Sequence, residues 1–189
     1  APPRPLIGIN TDFLTPKTAA PFARVAAGYF DAVLAAGGLP ILLPPLRKDD
    51  LGELDTLLDL LSGVVMVGGL DLDPRKQGQP LPATCPPMAA RREEYDRLLL
   101  SKVIERKLPL LAVGVGMQLL NVHFDGTLFA HLPTDHPKAM PHFDQAGGPH
   151  RHMVLVEKGS ALEDIYGATE LRVNSTHHQA VNKLGKRLR

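Results

Sequence analysis

The sequence predicts an α/β fold: a central, mostly parallel sheet flanked by helices, with irregular antiparallel additions in the C-terminal half. Three observations carry this expectation. Short apolar runs at residues 5–10, 39–43, 63–67 and 108–113 alternate with helix-length segments, which is the rhythm of βαβ units with right-handed crossovers. The runs are apolar without alternation, as strands covered on both faces are. After Asn121 that rhythm stops, and short β-like pieces at 127–129, 153–157 and 170–173 are separated by turns.

Taken in order, Pro5-Leu6-Ile7-Gly8-Ile9-Asn10 reads as the first strand and residues 12–21 as a Pro/Thr loop. Val25, Tyr29, Val33 and Ala36 recur at helical spacing over residues 22–36, and Gly37-Gly38 supplies the stop. The strand at 39–43 ends at Pro44-Pro45. Leu51, Leu54, Leu57, Leu58 and Leu61 form one apolar helical face. The strand at 63–67 runs into Gly68-Gly69, and the Pro-rich segment 73–87 reads as a loop over the same sheet edge. Residues 91–105 read as a helix with Tyr95, Leu98, Leu99 and Val103 inward and Arg91, Arg92, Glu93 and Glu94 mostly solvated. Ser160-Ala161-Leu162-Glu163 has the spacing of a capping box for a short helix toward Tyr166.

The organising stretch is Leu108 through Asn121, where an apolar run meets Gly114-Val115-Gly116 and then the helical spacing of Met117, Leu119 and Leu120. A strand, a sharp turn and a helix is where α/β enzymes place a nucleophile, with neighbouring N–H groups aimed at a developing oxyanion. Here the apex is Gly114, which carries no side chain. Gly114 is thus either a turn glycine of an ordinary α/β fold or a vacated nucleophile position, and Gly68-Gly69 either a plain strand-ending turn or an oxyanion turn. A dinucleotide loop is disfavoured, because Leu119 stands where the third glycine of that fingerprint would be.

The 189 residues are about one domain's length, and 21 basic against 20 acidic side chains leave a net charge of +1. That balance gives no reason to expect nucleic acid or an anionic membrane as a partner. No apolar run approaches the roughly 20 residues that cross a bilayer, and the opening residues do not read as a secretory signal, so a cytoplasmic setting is expected. A lone cysteine, Cys85, excludes an internal disulfide framework and reads as a loop cysteine without a special role. His142, His150 and His152 lie in a Pro/Gly-rich stretch near Asp144. They lack metal-ligand spacing and read as solvated or packed loop histidines. Lys183, Lys186, Arg187 and Arg189 read as a solvated face.

An ordered set of motifs resembles a known family. Pro5-Leu6-Ile7-Gly8-Ile9 is followed by Tyr29-Phe30-Asp31-Ala32-Val33 with Ala36-Gly37-Gly38-Leu39-Pro40, and then by Gly68-Gly69-Leu70-Asp71-Leu72-Asp73-Pro74. Gly116-Met117-Gln118-Leu119-Leu120-Asn121-Val122 with Gly126-Thr127-Leu128 comes next, and Val173-Asn174-Ser175-Thr176-His177-His178-Gln179 closes the set. In that order they resemble class I glutamine amidotransferase-like proteins, in the gamma-glutamyl hydrolase branch that includes gamma-glutamyl-GABA hydrolase (peptidase family C26).

The resemblance implies a flavodoxin-like α/β domain over residues 1–189, lacking the family's C-terminal segment. It also implies hydrolysis of gamma-glutamyl amide C–N bonds by an elbow cysteine, a histidine and a glutamate. Oxyanion donors would be backbone N–H groups of Gly68 or Gly69 and of Val115. Gln118 would help hold the glutamyl moiety, and His177, His178 and Gln179 would wall the pocket or contact substrate. Two departures stand out: the family's Cys-Arg-Gly elbow reads Gly114-Val115-Gly116 here, and nothing like its Trp-His-Pro-Glu segment occurs, there being no Trp.

The leading expectation is therefore a non-catalytic homologue that binds a small gamma-glutamyl or glutamine-like ligand, with no cofactor and no metal. Two alternatives stand beside it: a hydrolase using another nucleophile, such as water or Cys85, and an interaction or scaffold module, for instance a homodimer.

Overall fold

A computed structural model describes residues 3–142 and 150–189. The first apolar run is β1 (Leu6–Asn10). Residues 12–21 are not wholly a loop: β2 (Asp12–Leu14) and β3 (Phe22–Arg24) pair antiparallel, with Asp12 opposite Arg24. That hairpin takes the backbone groups of Phe22 and Arg24 into a ladder, so α1 (Ala27–Ala35) starts later than its apolar period suggests. Only Val33 of α1 is buried, and Gly37, at φ +88°, turns the chain out of the helix.

β4 (Leu39–Leu43) follows. The expected leucine-faced helix is split into a 3-10 segment, Lys48–Glu53, and a short α2 (Leu54–Asp59), while Leu54, Leu58 and Leu61 remain buried on one face. Then come β5 (Gly63–Met66), a 3-10 turn at Pro74–Gln77 within the Pro-rich segment, and the long α3 (Ala90–Glu105). β6 (Leu110–Ala112) and α4 (Val115–His123) form the strand and helix around Gly114.

β4, β1, β5 and β6 lie side by side in that order, all parallel. One face of this sheet carries the main core, in which Leu43, Leu58, Val64, Met66, Tyr95, Leu99, Val103 and Leu119 pack together. Ile9, Val33, Val65 and Val67 form a smaller cluster. The four-residue strand β5 is buried throughout, which is why it reads as an unbroken apolar run.

Two residues of α3 overturn the expectation of a solvated N-terminal turn. Arg92 is fully buried and Glu93 is 1% exposed. Arg92 lies on the stripe that continues through Asp96, Leu99 and Val103, and both charged residues are paired rather than hydrated.

The chain divides into two compact units: residues 1–128 with 181–189, and residues 129–180. The second holds α5 (Leu132–Asp135), the antiparallel pair β8 (His150–Leu155) and β9 (Glu170–Ser175), and α6 (Ala161–Tyr166). β7 (Thr127–Phe129) pairs with β10 (Ala180–Lys183), a strand the sequence pattern does not announce. The capping box at α6 forms: Ser160 Oγ accepts from the Glu163 N–H, and the Glu163 carboxylate reaches back to the Gly159 N–H.

Candidate functional site

The turn between β6 and α4 is built by close backbone approach. The Val113 N–H donates to the Met66 carbonyl of β5 at 2.9 Å. Gly116, in the first turn of α4, lies against the same carbonyl, where a Cβ would come within 2.7 Å of the oxygen. Only glycine lets the helix start this near the strand. Between them Gly114 adopts φ 55°, ψ −121°, well away from the left-handed helical well and unfavourable for any residue with a Cβ. This is the strained apex that a nucleophile elbow requires. A Cβ added to Gly114 would point toward Gly68, reaching 3.3 Å from its Cα and 4.0 Å from its nitrogen, with no other atom within 4 Å among the described residues beyond its chain neighbours. Gly114 is exposed, whereas Val115 and Gln118, the latter one turn into α4, are each 6% exposed.

The facing turn at Gly68-Gly69 is fixed by a buried polar network. The Asn10 side chain accepts the Val67 N–H at 2.7 Å and donates to Asp96 at 2.9 Å. Arg92 donates to the Gly68 carbonyl at 2.9 Å, to Asp12 at 2.6 Å and to Asp96 at 3.2 Å. The Arg92 guanidinium occupies the space where Gly69 would carry a Cβ, so a side chain there would displace it. The Gly68 N–H donates to the Tyr29 hydroxyl at 3.2 Å. Burial pushes the Asp96 carboxyl up to about 6, against the opposing pull of Arg92 and the Asn10 hydrogen bond. A cleft of about 460 Å³ opens here, lined by Asp12, Arg24, Val25, Tyr29, Val67, Gly68 and Gly69 among others.

Asn10, Asp12, Arg92 and Asp96 are thus parts of the candidate site region that motif reading passes over, and Tyr29, which a motif does include, gains its contact with Gly68 only from the structure. Arg92 and Asp96 gave one readable signal, since positions 92, 96, 99 and 103 fall on a single helical face with two core residues. The network itself joins β1, β2, the β5 turn and α3, which no local pattern connects.

Of the expected site residues, Gly68, Gly69, Gly114, Val115 and Gln118 belong to the first unit and His177, His178 and Gln179 to the second. Within the second unit, His177 Nδ1 contacts the Gln179 carbonyl at 2.9 Å, and the His131 and His178 Nδ1 atoms are 3.0 Å apart. The His142 ring packs on those of His152 and His177, with centroids 4.6 and 5.0 Å away. Burial, then the neighbouring His142, His152 and His178, pull the His177 imidazole below its ordinary value. His150 and His152 are on strand β8 rather than in a loop, and Asp144 lies outside the described residues. Among the described residues no group of three His, Cys, Asp or Glu side chains is arranged to hold a metal ion.

Cys85 is 4% exposed, and its N–H donates to the Pro82 carbonyl. Among the described residues no helix is long and apolar enough to cross a membrane.

Comparison with known proteins places these features in a family. The model of the peptidase C26 family matches residues 5–189. A provisionally named glutamine amidotransferase of Mycobacterium tuberculosis is 34% identical, the match covering 98% of this chain and 60% of that protein. A glutamine amidotransferase-like protein of Rickettsia prowazekii is 30% identical over 98% of this chain and 80% of its own length. The gamma-glutamyl-gamma-aminobutyrate hydrolase of Escherichia coli O157:H7 is 30% identical over 85% of this chain and 65% of the relative. The chain therefore spans about three fifths of the mycobacterial relative it matches.

Proposed function

Because the chain belongs to the peptidase C26 family, we propose that it binds a gamma-glutamyl or glutamine-like amide between the Gly114 and Gly68-Gly69 turns without performing thiol chemistry on it. The observation that carries this reading is the backbone of Gly114. It holds a strained conformation at the head of α4, facing Gly68 at the distance a nucleophile's Cβ would contact, with no side chain to attack with. In this reading the N–H groups of Val115 and of Gly69 polarise the amide carbonyl, the Gly68 N–H being given to the Tyr29 hydroxyl, and Gln118 contacts the glutamyl part. With no attacking group at position 114, the carbonyl is bound and oriented but no thioester forms. The names of the relatives, glutamine amidotransferases and a gamma-glutamyl-gamma-aminobutyrate hydrolase, support the choice of ligand class.

The test is calorimetric titration with glutamine and gamma-glutamyl-gamma-aminobutyrate, beside an assay of ammonia and amine release. Binding without turnover is expected. Turnover by the unmodified chain would overturn the non-catalytic reading, and absence of binding would overturn the ligand class.

A further inference from the structure

A separate cavity of about 210 Å³ lies between the chain leaving β4 and the first turns of α3. Leu46, Arg47, Lys48 and Leu51 line it from the first, and Arg91, Glu94 and Tyr95, spaced i, i+3 and i+4 on one face, from the second. It shares no lining residue with the cleft beside Gly68. Tyr95 is fully buried, and among the described residues its hydroxyl has no hydrogen-bond partner. A buried hydroxyl left unpaired is costly and rare, so this one calls for an acceptor. Burial, and then the charge of Asp96, push the Tyr95 hydroxyl well above its ordinary range, so that it stays an O–H donor.

The charged lining is predominantly cationic. Arg47 is paired with Asp50 at 2.8 Å. Arg91 is held by its Nε, which donates to the Pro45 carbonyl at 2.8 Å, and by the Phe13 ring, whose centroid is 4.6 Å from the guanidinium carbon. Among the described residues its two Nη groups have no partner, and neither do the side chains of Lys48 and Glu94. A guanidinium already fixed in place presents its outer fork to an oxyanion at little further cost in side-chain freedom. We infer that this cavity binds hydrogen phosphate: Tyr95 donates to one oxygen, Arg91 and Lys48 offset the charge, and the Glu94 carboxylate accepts the proton that the phosphate retains. Sulfate has the same shape but carries no proton near neutral pH, so it offers Glu94 only lone pairs. A phosphate ester, whose second ionisation falls at about pH 6, keeps little of that proton.

The experiment titrates inorganic phosphate, sulfate and methyl phosphate by calorimetry, in a phosphate-free buffer near neutral pH, into the unmodified chain, Tyr95→Phe, Lys48→Ala and Glu94→Gln. Tyr95→Phe removes one unpaired oxygen and keeps the ring that packs in the core, while Lys48 and Glu94 are exposed. All three variants are therefore expected to fold, which thermal melting checks. The expected result is saturable phosphate binding, weakened about tenfold by Tyr95→Phe and also weakened by Lys48→Ala. Sulfate and methyl phosphate are expected to bind the unmodified chain more weakly, and Glu94→Gln to narrow the gap between phosphate and sulfate. Phosphate affinity unchanged by Tyr95→Phe would mean that only water meets the hydroxyl and would overturn the site. Equal affinity for phosphate and sulfate would overturn the role of Glu94, and tighter binding of methyl phosphate would overturn the free ion in favour of an ester. No saturable phosphate binding would overturn the inference as a whole.

Discussion

A Cβ placed on Gly114 would lie 3.3 Å from the Cα of Gly68, slightly inside ordinary van der Waals contact, so the turn after β6 and the turn after β5 leave between them little more than the room of one side-chain carbon at the end of the parallel sheet. Each has a different restraint. Gly114 is held by the departure of α4 from β6, and Gly68 by Arg92 and Tyr29 beneath and beside it.

Replacing Gly114 by Ala or Cys forces a side chain into φ 55°, ψ −121°. A destabilisation of about 1–3 kcal/mol is expected from that backbone strain, read by urea unfolding. A loss below about 0.5 kcal/mol would show that the turn relaxes. The thiol of Gly114→Cys stands at an exposed position, whereas Cys85 is 4% exposed. Brief iodoacetamide treatment of the folded variant should label position 114 ahead of position 85 by peptide mass spectrometry.

Arg92→Met leaves Asp12 and Asp96 facing one another in the interior without their shared cation. Removing one member of a buried ion network costs roughly 3–5 kcal/mol, and the Gly68 carbonyl also loses its donor. Denaturant unfolding measures the loss. Adding Asp12→Asn and Asp96→Asn to the same chain should recover a large part of it, since no buried charge is then left alone. A triple variant as unstable as the single one would count against the charge argument.

Asp96 makes stability depend on pH in an identifiable window. Its carboxyl is raised by burial to about 6, above its ordinary value of 3.8, with Arg92, Asn10 and Asp12 as its charged or polar neighbours. The folded state thus holds the proton more tightly than the unfolded chain. The contribution is fully present below about pH 4 and is lost as pH rises through about 6, amounting to roughly 2–3 kcal/mol. Unfolding free energies measured from pH 4 to 7 should show this decline in the unmodified chain, and Asp96→Asn should remove it. An identical slope in both proteins would refute the assignment.

His177 acts with the opposite sign. Burial and nearby histidines depress its folded value below 6.5, so its contribution is present above pH 6.5 and is lost as pH falls through the depressed value. An NMR titration should place the His177 ring below 6.5, and His142→Gln, which removes one neighbouring imidazole, should move it upward. A midpoint at or above 6.5 in the unmodified chain would contradict the packing of His142, His152 and His177.

The parallel sheet was legible because its evidence is local. Residues 39–43, 63–67 and 108–113 are short apolar runs separated by helix-length segments, and strands covered on both faces must be apolar at every position. The Gly114 apex was legible for the same reason, since a strand, two glycines and a helical period are adjacent in sequence. The β2/β3 hairpin was not, because Phe22 and Arg24 continue the apolar rhythm of α1 until a partner strand claims their backbone.

The sequence by itself therefore determined the α/β class, the position of the strand–turn–helix junction at Gly114 and the absence of a side chain there, all of which follow from residue type and spacing over a dozen positions. Only the tertiary structure decided that Arg92 is buried, that it shares Asp12 and Asp96, and that it holds the Gly68 carbonyl. Those partners are 4 to 80 residues apart. A charged side chain looks solvated in sequence and is paid for in the interior only by neighbours that folding brings to it.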